Sequence, residues 1–408
     1  METGRLGLPR QSRLLIVVAL VDSSGTGLFL TGSAVFFTRS AGLTTAEVGI
    51  GLTVAGLCAL LTLTPLGMLA DRIGPKPAAV VMHFWRAAGF VGYAFVHDFW
   101  AFLAIACFVG IPSRAIEPIG QMFADRHVGP DYRMRMMAVF RAVYNIGFTL
   151  GALLTTLILA VDTRAAFQSI VLGDALTFVI AGFLLIRVPL LHEGTKKRTV
   201  RGWPRSLRQG RYLLVAALNG IMVLHIPMLS VAIPLWATLH TNAPRVLVGP
   251  LIMINTLLAI LLQVRVSKGI ESLDGGIRAM RLGAVCLAAC AVVLAFAGRL
   301  DAVGASVLLV AGIVLLSFGE IYQSAGGWSL SYELAPRERQ GEYLAVFSLG
   351  MAAMYTVGPA LVTIGVVEQG LPGWLVLAAV FLAAGWVVRP VALAAKAQVH
   401  ADTVATHR

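Results

Sequence analysis

The chain is short of charge. Only 13% of its 408 residues are Asp, Glu, Lys or Arg, half the ~25% of an ordinary soluble domain. It is shorter still of acid, with 20 Asp and Glu against 32 Lys and Arg. Its four cysteines, Cys58, Cys107, Cys286 and Cys290, all sit within apolar runs. That excludes a secreted disulfide scaffold and predicts reduced thiols. No Gly-Lys-Ser/Thr phosphate loop, no Cys/His set with metal spacing and no converging Ser-His-Asp arrangement occurs. ATP as energy source, a resident metal, any other cofactor and enzymatic catalysis are therefore not expected.

What is abundant is apolar. The apolar residues are 58% of the chain, roughly 237 of 408. A membrane-spanning helix needs about 20, so there are enough for about twelve. A soluble monomer of this size cannot hide so much apolar surface. The runs are continuous rather than alternating, which argues against a β-barrel. Apolar windows place spans near 14–38, 48–70, 77–97, 101–122, 137–160, 167–187, 212–238, 247–267, 279–298, 304–330, 343–366 and 374–392. The first is too long for a cleaved signal peptide, carries Asp22 and leads straight into the second.

The formal charge of +12 does not point to nucleic acid, because of where the cations fall. Of the 32, counting those at span ends with the side they adjoin, the twelve-span topology puts 26 on one side, four on the other (Arg39, Arg164, Arg245, Arg299) and two, Arg86 and Arg114, deep within spans. Cationic loops mark the cytoplasmic side, so both termini are expected there. A multi-pass protein of the plasma (inner) membrane and a monomer are the expectations, with lipid around it.

The expected organisation is an N-terminal six-helix half at 1–186, a basic cytoplasmic linker at 187–211 and a C-terminal six-helix half at 212–408. The linker holds eight cations, including Lys196–Arg198. The halves echo each other at an offset of 207 residues: Met137-Ala-Val-Phe140 against Leu344-Ala-Val-Phe347, then Thr149 against Thr356, Gly151 against Gly358 and Leu154 against Leu361. Halves with an even number of spans that start on the same side are parallel repeats.

Between spans 2 and 3 stands Gly67-Met-Leu69-Ala70-Asp71-Arg72-Ile-Gly74-Pro75-Lys76. This resembles the signature of the major facilitator superfamily, Gly-x-Leu-Ala-Asp-Arg-x-Gly-Arg-Lys, at seven positions, with Pro75 replacing the first basic residue of the pair. The resemblance implies an all-α integral membrane fold of twelve transmembrane helices in two pseudo-symmetric halves. It also implies that Gly67, Asp71, Arg72, Gly74 and Lys76 form a conformational-switch motif. Asp22 with its following glycines, and Arg141-x-x-x-Asn145-x-Gly147-x-x-x-Gly151, are similar to the twelve-span drug:proton antiporters. Two departures stand out. The fifth-span motif ends in Gly151-Ala152 rather than Gly-Pro, and the fourth-span Arg-x-x-Gln-Gly appears only as Arg114-Ala-Ile-Glu117-Pro118.

An ionisable side chain near the bilayer centre costs roughly 2.5–3.5 kcal/mol, so each one needs a use. Asp22 and Arg114 each lie about 12 Å from the cytoplasmic ends of spans 1 and 4. The family fold puts spans 1, 4, 7 and 10 around a cavity. The expectation is that Asp22 carries the coupling proton, with Arg114 tuning it and Glu117 as a second acid. The plain alternative is a permanent ion pair joining the two spans. His225 and Glu320, about 20 and 15 Å deep, with Tyr322 and Gln323, are candidates for binding substrate. A core histidine bonded to a carbonyl, and a glutamate bonded to a neighbouring helix, are their alternatives. Arg86 and Asp174, outside the cavity ring, read as structural, Arg86 tying span 3 to span 2 or to the motif loop. Trp100, Trp236 and Trp374 fall near outer interfaces, as an aromatic belt would.

The implied function is export of small, mostly apolar or amphiphilic molecules, multidrug or antibiotic-like, in exchange for protons by alternating access. A proton symporter or uniporter of a metabolite in the same fold is the alternative. A membrane receptor or scaffold that keeps the fold without transport is a third reading.

Overall fold

A computed structural model describes residues 8–9, 12–37, 41–161, 163–189, 204 and 206–406. The basic run Lys196–Arg198 and the following Gly202-Trp203 lie outside them. The chain folds into two compact units, Met1–Trp203 with Arg337–Ala345, and Pro204–Pro336 with Val346–Arg408.

The first unit holds α1 (Arg13–Val35), α2 (Thr45–Ile73), α3 (Pro75–Tyr93), α4 (Phe99–Ser113), α5 (Ile116–Val128), α6 (Pro130–Leu159) and α7 (Arg164–Arg187). The second holds α8 (Gly210–Met222), α9 (His225–Pro227), α10 (Ile233–Leu239), α11 (Val248–Val266), α12 (Leu273–Ala297) and α13 (Ala302–Glu333). Then come α14 (Gln340–Val362), which starts in the first unit and finishes in the second, and α15 (Leu371–Thr406). Span 4 is α4 and α5 together, broken at Arg114 and Ala115 beside Pro112. Span 7 is α8 to α10, interrupted at Pro227 and by a π-helical turn over Met228–Ala232. Proline removes a donor and obstructs the preceding turn, so both breaks have a residue-level cause. Eleven helical stretches among the described residues are long and apolar enough to cross a membrane. The remaining span is α3, whose 19 residues include Lys76, His83 and Arg86. Twelve spans result.

Turns between helices reuse one device. Gly74 at φ +92° and Gly129 at φ +78° close α2 and α5, and each is followed by a proline that opens the next helix. A positive φ favours glycine, and proline at the first helical position gives up an N–H that has no partner there anyway. Pro75, the departure from the family signature, thus has a structural reason.

Within the first unit, α6 packs on α1 through its glycines. A Cβ on Gly147 would strike Ser23, and one on Gly151 would strike the backbone from Ser24 to Leu28. Thr155 Oγ1 then donates to the Leu28 carbonyl at 2.7 Å. Rings of Phe29, Phe37, Phe90, Tyr93, Phe102 and Phe178 fill the core between α1, α3, α4 and α7. In the second unit, Gly312, Gly319 and Gly326 recur every seven residues along α13. They face Leu294, Leu287 and Met280, which recur every seven residues along α12. Small residues at helix contacts let backbones approach where no hydrophobic force drives them together. Trp236 and Trp374 do not form an interfacial belt. They are buried at 4% and 0% exposure, their rings 5.7 Å apart, and Trp236 Nε1 donates to the Leu294 carbonyl at 2.8 Å. Trp100 is exposed.

Candidate functional site

The acid singled out in span 1 has different neighbours from those expected. Asp22 Oδ1 accepts from Arg86 Nη1 at 3.2 Å, and His83 Nε2 lies 3.5 Å from the same oxygen. Both side chains come from α3, one turn apart. Arg86 therefore ties α3 to α1, not to α2 or the motif loop. Asp174, on α7, is 1% exposed and completes the group. Its Oδ1 lies 3.1 Å from the Thr177 hydroxyl and packs where a Cβ on Gly25 of α1 would be. Arg86 also covers Phe178, with Cζ 3.8 Å from the ring centroid. A guanidinium on an aromatic face gains cation–π attraction in a dry setting.

Arg114 sits at the α4–α5 break, and Glu117 is in the first turn of α5. The cations acting on Glu117 are Arg141 of α6 first and Arg114 second. Glu117 is exposed. Arg86 is thus the leading cation on Asp22 and Arg141 on Glu117, and Tyr144 of α6 lies within the field of both acids.

Glu320, Tyr322 and Gln323 of the second unit each touch different neighbours. Glu320 is buried and accepts from Asn255 Nδ2 of α11 at 3.0 Å, and that amide also reaches Ser317 Oγ at 3.1 Å. Gln323 Nε2 instead donates to Asn219 Oδ1 of α8 at 2.9 Å. Tyr322 packs against Ile270, Ala279 and Ala325. Tyr322 faces away from Glu320, about 200° around the helix, whereas Glu320 and Gln323, three residues apart, share a face and bond to different helices. His225 is buried, and its Nδ1 donates to the Met222 carbonyl at 2.9 Å.

The motif loop is built around Asp71. Its two oxygens accept the backbone N–H groups of Gly341 and Glu342 at 2.7 and 2.9 Å. Gly67, one turn earlier, lies against the Gly341 carbonyl and Ala345 with no room for a Cβ. Gly74 makes the turn. Arg72 is exposed at the end of α2. Lys76 Nζ donates to the carbonyls of Ile186 and Val188, both at 2.8 Å, and so closes the C-terminal end of α7. Sequence reasoning passed over His83, Asn219 and Asn255. The available signal for His83 was its three-residue spacing from Arg86, which puts both on one helix face.

The Major Facilitator Superfamily profile matches residues 14–359. The chain belongs to that superfamily. This member is a membrane transporter rather than an enzyme. It is 26% identical over 332 residues to the multidrug resistance protein MdtH of Escherichia coli O157:H7, covering 78% of this chain and 80% of that one. It is 27% identical over 212 residues to MdtH of Klebsiella pneumoniae subsp. pneumoniae. There the matched region covers 52% of this chain and 48% of the relative, so the chain spans about half the length of such relatives. A bacterial homologue of the iron transporter ferroportin, solved in an outward-facing state, shares the fold. Its TM-score is 0.70 at 17% identity, covering 95% of this chain and all of that one.

Proposed function

We propose that this superfamily member exports small, mostly apolar or amphiphilic molecules in exchange for protons, by alternating access. The two halves, 1–186 and 212–408, would be the alternating bodies, joined by the linker 187–211, with both termini cytoplasmic. The observation that carries the reading is Asp22, an acid midway along α1 held by Arg86 and His83. Burial works against the charged carboxylate and the cations work for it, and a group between such pulls can load and unload a proton. The similarity to MdtH proteins supports drug-like cargo. The apolar character of the spans supports amphiphiles over polar metabolites. A second reading, proton symport or uniport of a metabolite, draws on the buried polar pairs Glu320–Asn255 and Gln323–Asn219.

The deciding experiment uses the full chain in proteoliposomes or in cells, with a panel of dyes and antibiotics, with and without an uncoupler. Export that collapses with uncoupler supports antiport. Uptake driven by an inward proton gradient would favour symport, and no flux of any compound would favour a non-transporting role.

A further inference from the structure

Four titratable side chains meet inside the first unit: Asp22 of α1, His83 and Arg86 of α3, and Asp174 of α7. We propose that this cluster is a proton site, in which one proton is held between His83 Nε2 and Asp22 Oδ1. Its part in coupling rests on the antiport reading; its existence does not.

The tautomer comes first. His83 Nδ1 lies 2.7 Å from the Ala79 carbonyl oxygen. A carbonyl only accepts, so Nδ1 carries a hydrogen. In a neutral imidazole the other nitrogen is then bare. That nitrogen, Nε2, faces Asp22 Oδ1 at 3.5 Å. A bare nitrogen and an ionised carboxylate would set lone pair against lone pair. One added hydrogen removes the conflict: the imidazole becomes a cation beside a carboxylate, or the carboxyl becomes a donor to the ring.

Charge counting reaches the same number. Asp22 and Asp174 are two acids, and Arg86 is the guanidinium acting on both. Arg86 is committed, with Nη1 on Asp22 and its plane over Phe178. Its Nε is buried with no hydrogen-bond partner among the described residues. The groups facing from α6 are Tyr144 and Arg141, and Arg141 is also the leading cation on Glu117 of α5. Were both acids ionised, the cluster would be one positive charge short, and uncompensated charge in a poorly solvated site is costly, so at least one proton belongs among these groups. A single proton taken from water makes it neutral, and its return to water restores the deficit. The site is walled by α1, α3 and α7. Its proton is thus carried behind α1 rather than beside Glu117.

The test is direct observation of that hydrogen. The full chain, with ¹⁵N-labelled histidine and reconstituted in lipid nanodiscs, is studied by NMR, and His83 is identified by the signal lost in His83→Gln. Infrared difference spectra across the same pH range report protonated carboxyl groups, and Asp22→Asn identifies the Asp22 band. At neutral pH the expected result is a doubly protonated His83 ring or a protonated Asp22. A bare Nε2 beside an ionised Asp22 in the wild type overturns the proposal, with no dependence on how any variant folds. A proton seen at the site while export ignores uncoupler would support the site and reject antiport. Uncoupler-sensitive export with an unchanged pH profile in His83→Gln would reject the site's part in coupling and leave the antiport reading standing.

Discussion

Asp71 Oδ1 accepts the backbone N–H of Gly341 at 2.7 Å. The carboxylate of α2 thus caps the start of α14, with Oδ2 taking the next amide, that of Glu342. The first N–H groups of a helix have no partner within it, and the helix dipole favours an anion there. The contact is sterically possible because Gly67 and Gly341 both lack a side chain where the backbones meet. Gly67 and Asp71, four residues apart on one face of α2, therefore act as one device: the glycine brings the helix end close and the acid binds it.

Substitutions at Asp71 should grade that cap. Asp71→Asn keeps an acceptor and loses the charge, whereas Asp71→Ala loses both bonds. Removing a capping acceptor costs about 1 kcal/mol, up to roughly 2 when the acceptor is charged. Hydrogen exchange at the amides of Gly341 and Glu342 should rise from wild type to asparagine to alanine. Wild-type protection in the alanine variant would mean that the two bonds contribute nothing.

The seven-residue glycine row of α13 predicts a position-specific loss of stability. A Cβ at Gly319 would already sit 2.6 Å from the Leu287 side chain. Gly319→Leu should lower thermal stability by about 1–3 kcal/mol, the usual cost of overpacking. Pairing it with Leu287→Ala should recover part of the loss, because the space vacated lies opposite the added side chain. Gly365, also on a helical segment, has open space around its would-be Cβ, so Gly365→Ala serves as the control and should be close to neutral. Equal melting temperatures for Gly319→Leu and Gly365→Ala would contradict the close contact.

How far these features could be read from residues differs by kind. Twelve spans were legible because a bilayer leaves a spanning segment no alternative to internal hydrogen bonding, so long apolar runs have one reading. That Asp22 would be paired was legible for the same reason, since an acid at membrane depth needs a partner. The identity of that partner was not. Depth along a helix follows from counting residues, and by depth Arg114 and Asp22 are level. Which side of each helix they occupy depends on neighbours, and spacing cannot carry a face across the break at Arg114 and Ala115. His83 and Arg86 were hidden by the assumption that span 3 is peripheral, although their spacing puts both on one face. The motif loop was recognisable, but its bond to Gly341 joins residues 270 apart, which no local pattern announces. Tyr322 was grouped with Glu320 by adjacency, whereas helical rotation turns it away; Gln323 shares the Glu320 face, and only the packing of α8 and α11 decides that the two bond to different helices.

The Asp22–Arg86 pair should be strongly non-additive in stability. Arg86→Met leaves Asp22 without its guanidinium, and breaking a buried pair from one side costs about 3–5 kcal/mol. The partial exposure of both side chains, 12% and 22%, points to the lower end of that range. Asp22→Asn with Arg86→Met removes both charges and should recover most of the loss, while export stays uncoupled from the proton gradient. A double-mutant cycle on purified protein, read by thermal unfolding, gives the coupling energy. Simple additivity would mean that the pair is not formed.

Glu320 offers a way to separate holding a helix from binding cargo. Its Oε2 accepts from Asn255 Nδ2 at 3.0 Å, and the same amide reaches Ser317. Glu320→Gln keeps an acceptor oxygen of nearly the same shape, so the α11–α13 contact should survive with a stability change under about 1 kcal/mol. Glu320→Ala leaves the Asn255 amide with one partner fewer in a buried place and should cost about 1–3 kcal/mol. If the carboxylate also attracts cationic amphiphiles, Glu320→Gln should lose export of cationic dyes selectively and keep that of neutral ones. Parallel efflux assays on one cationic and one neutral substrate, in protein of matched melting temperature, check this. Equal export of both by Glu320→Gln would leave Glu320 as a helix-to-helix bond alone, because the charge would then be dispensable while the hydrogen bond is not.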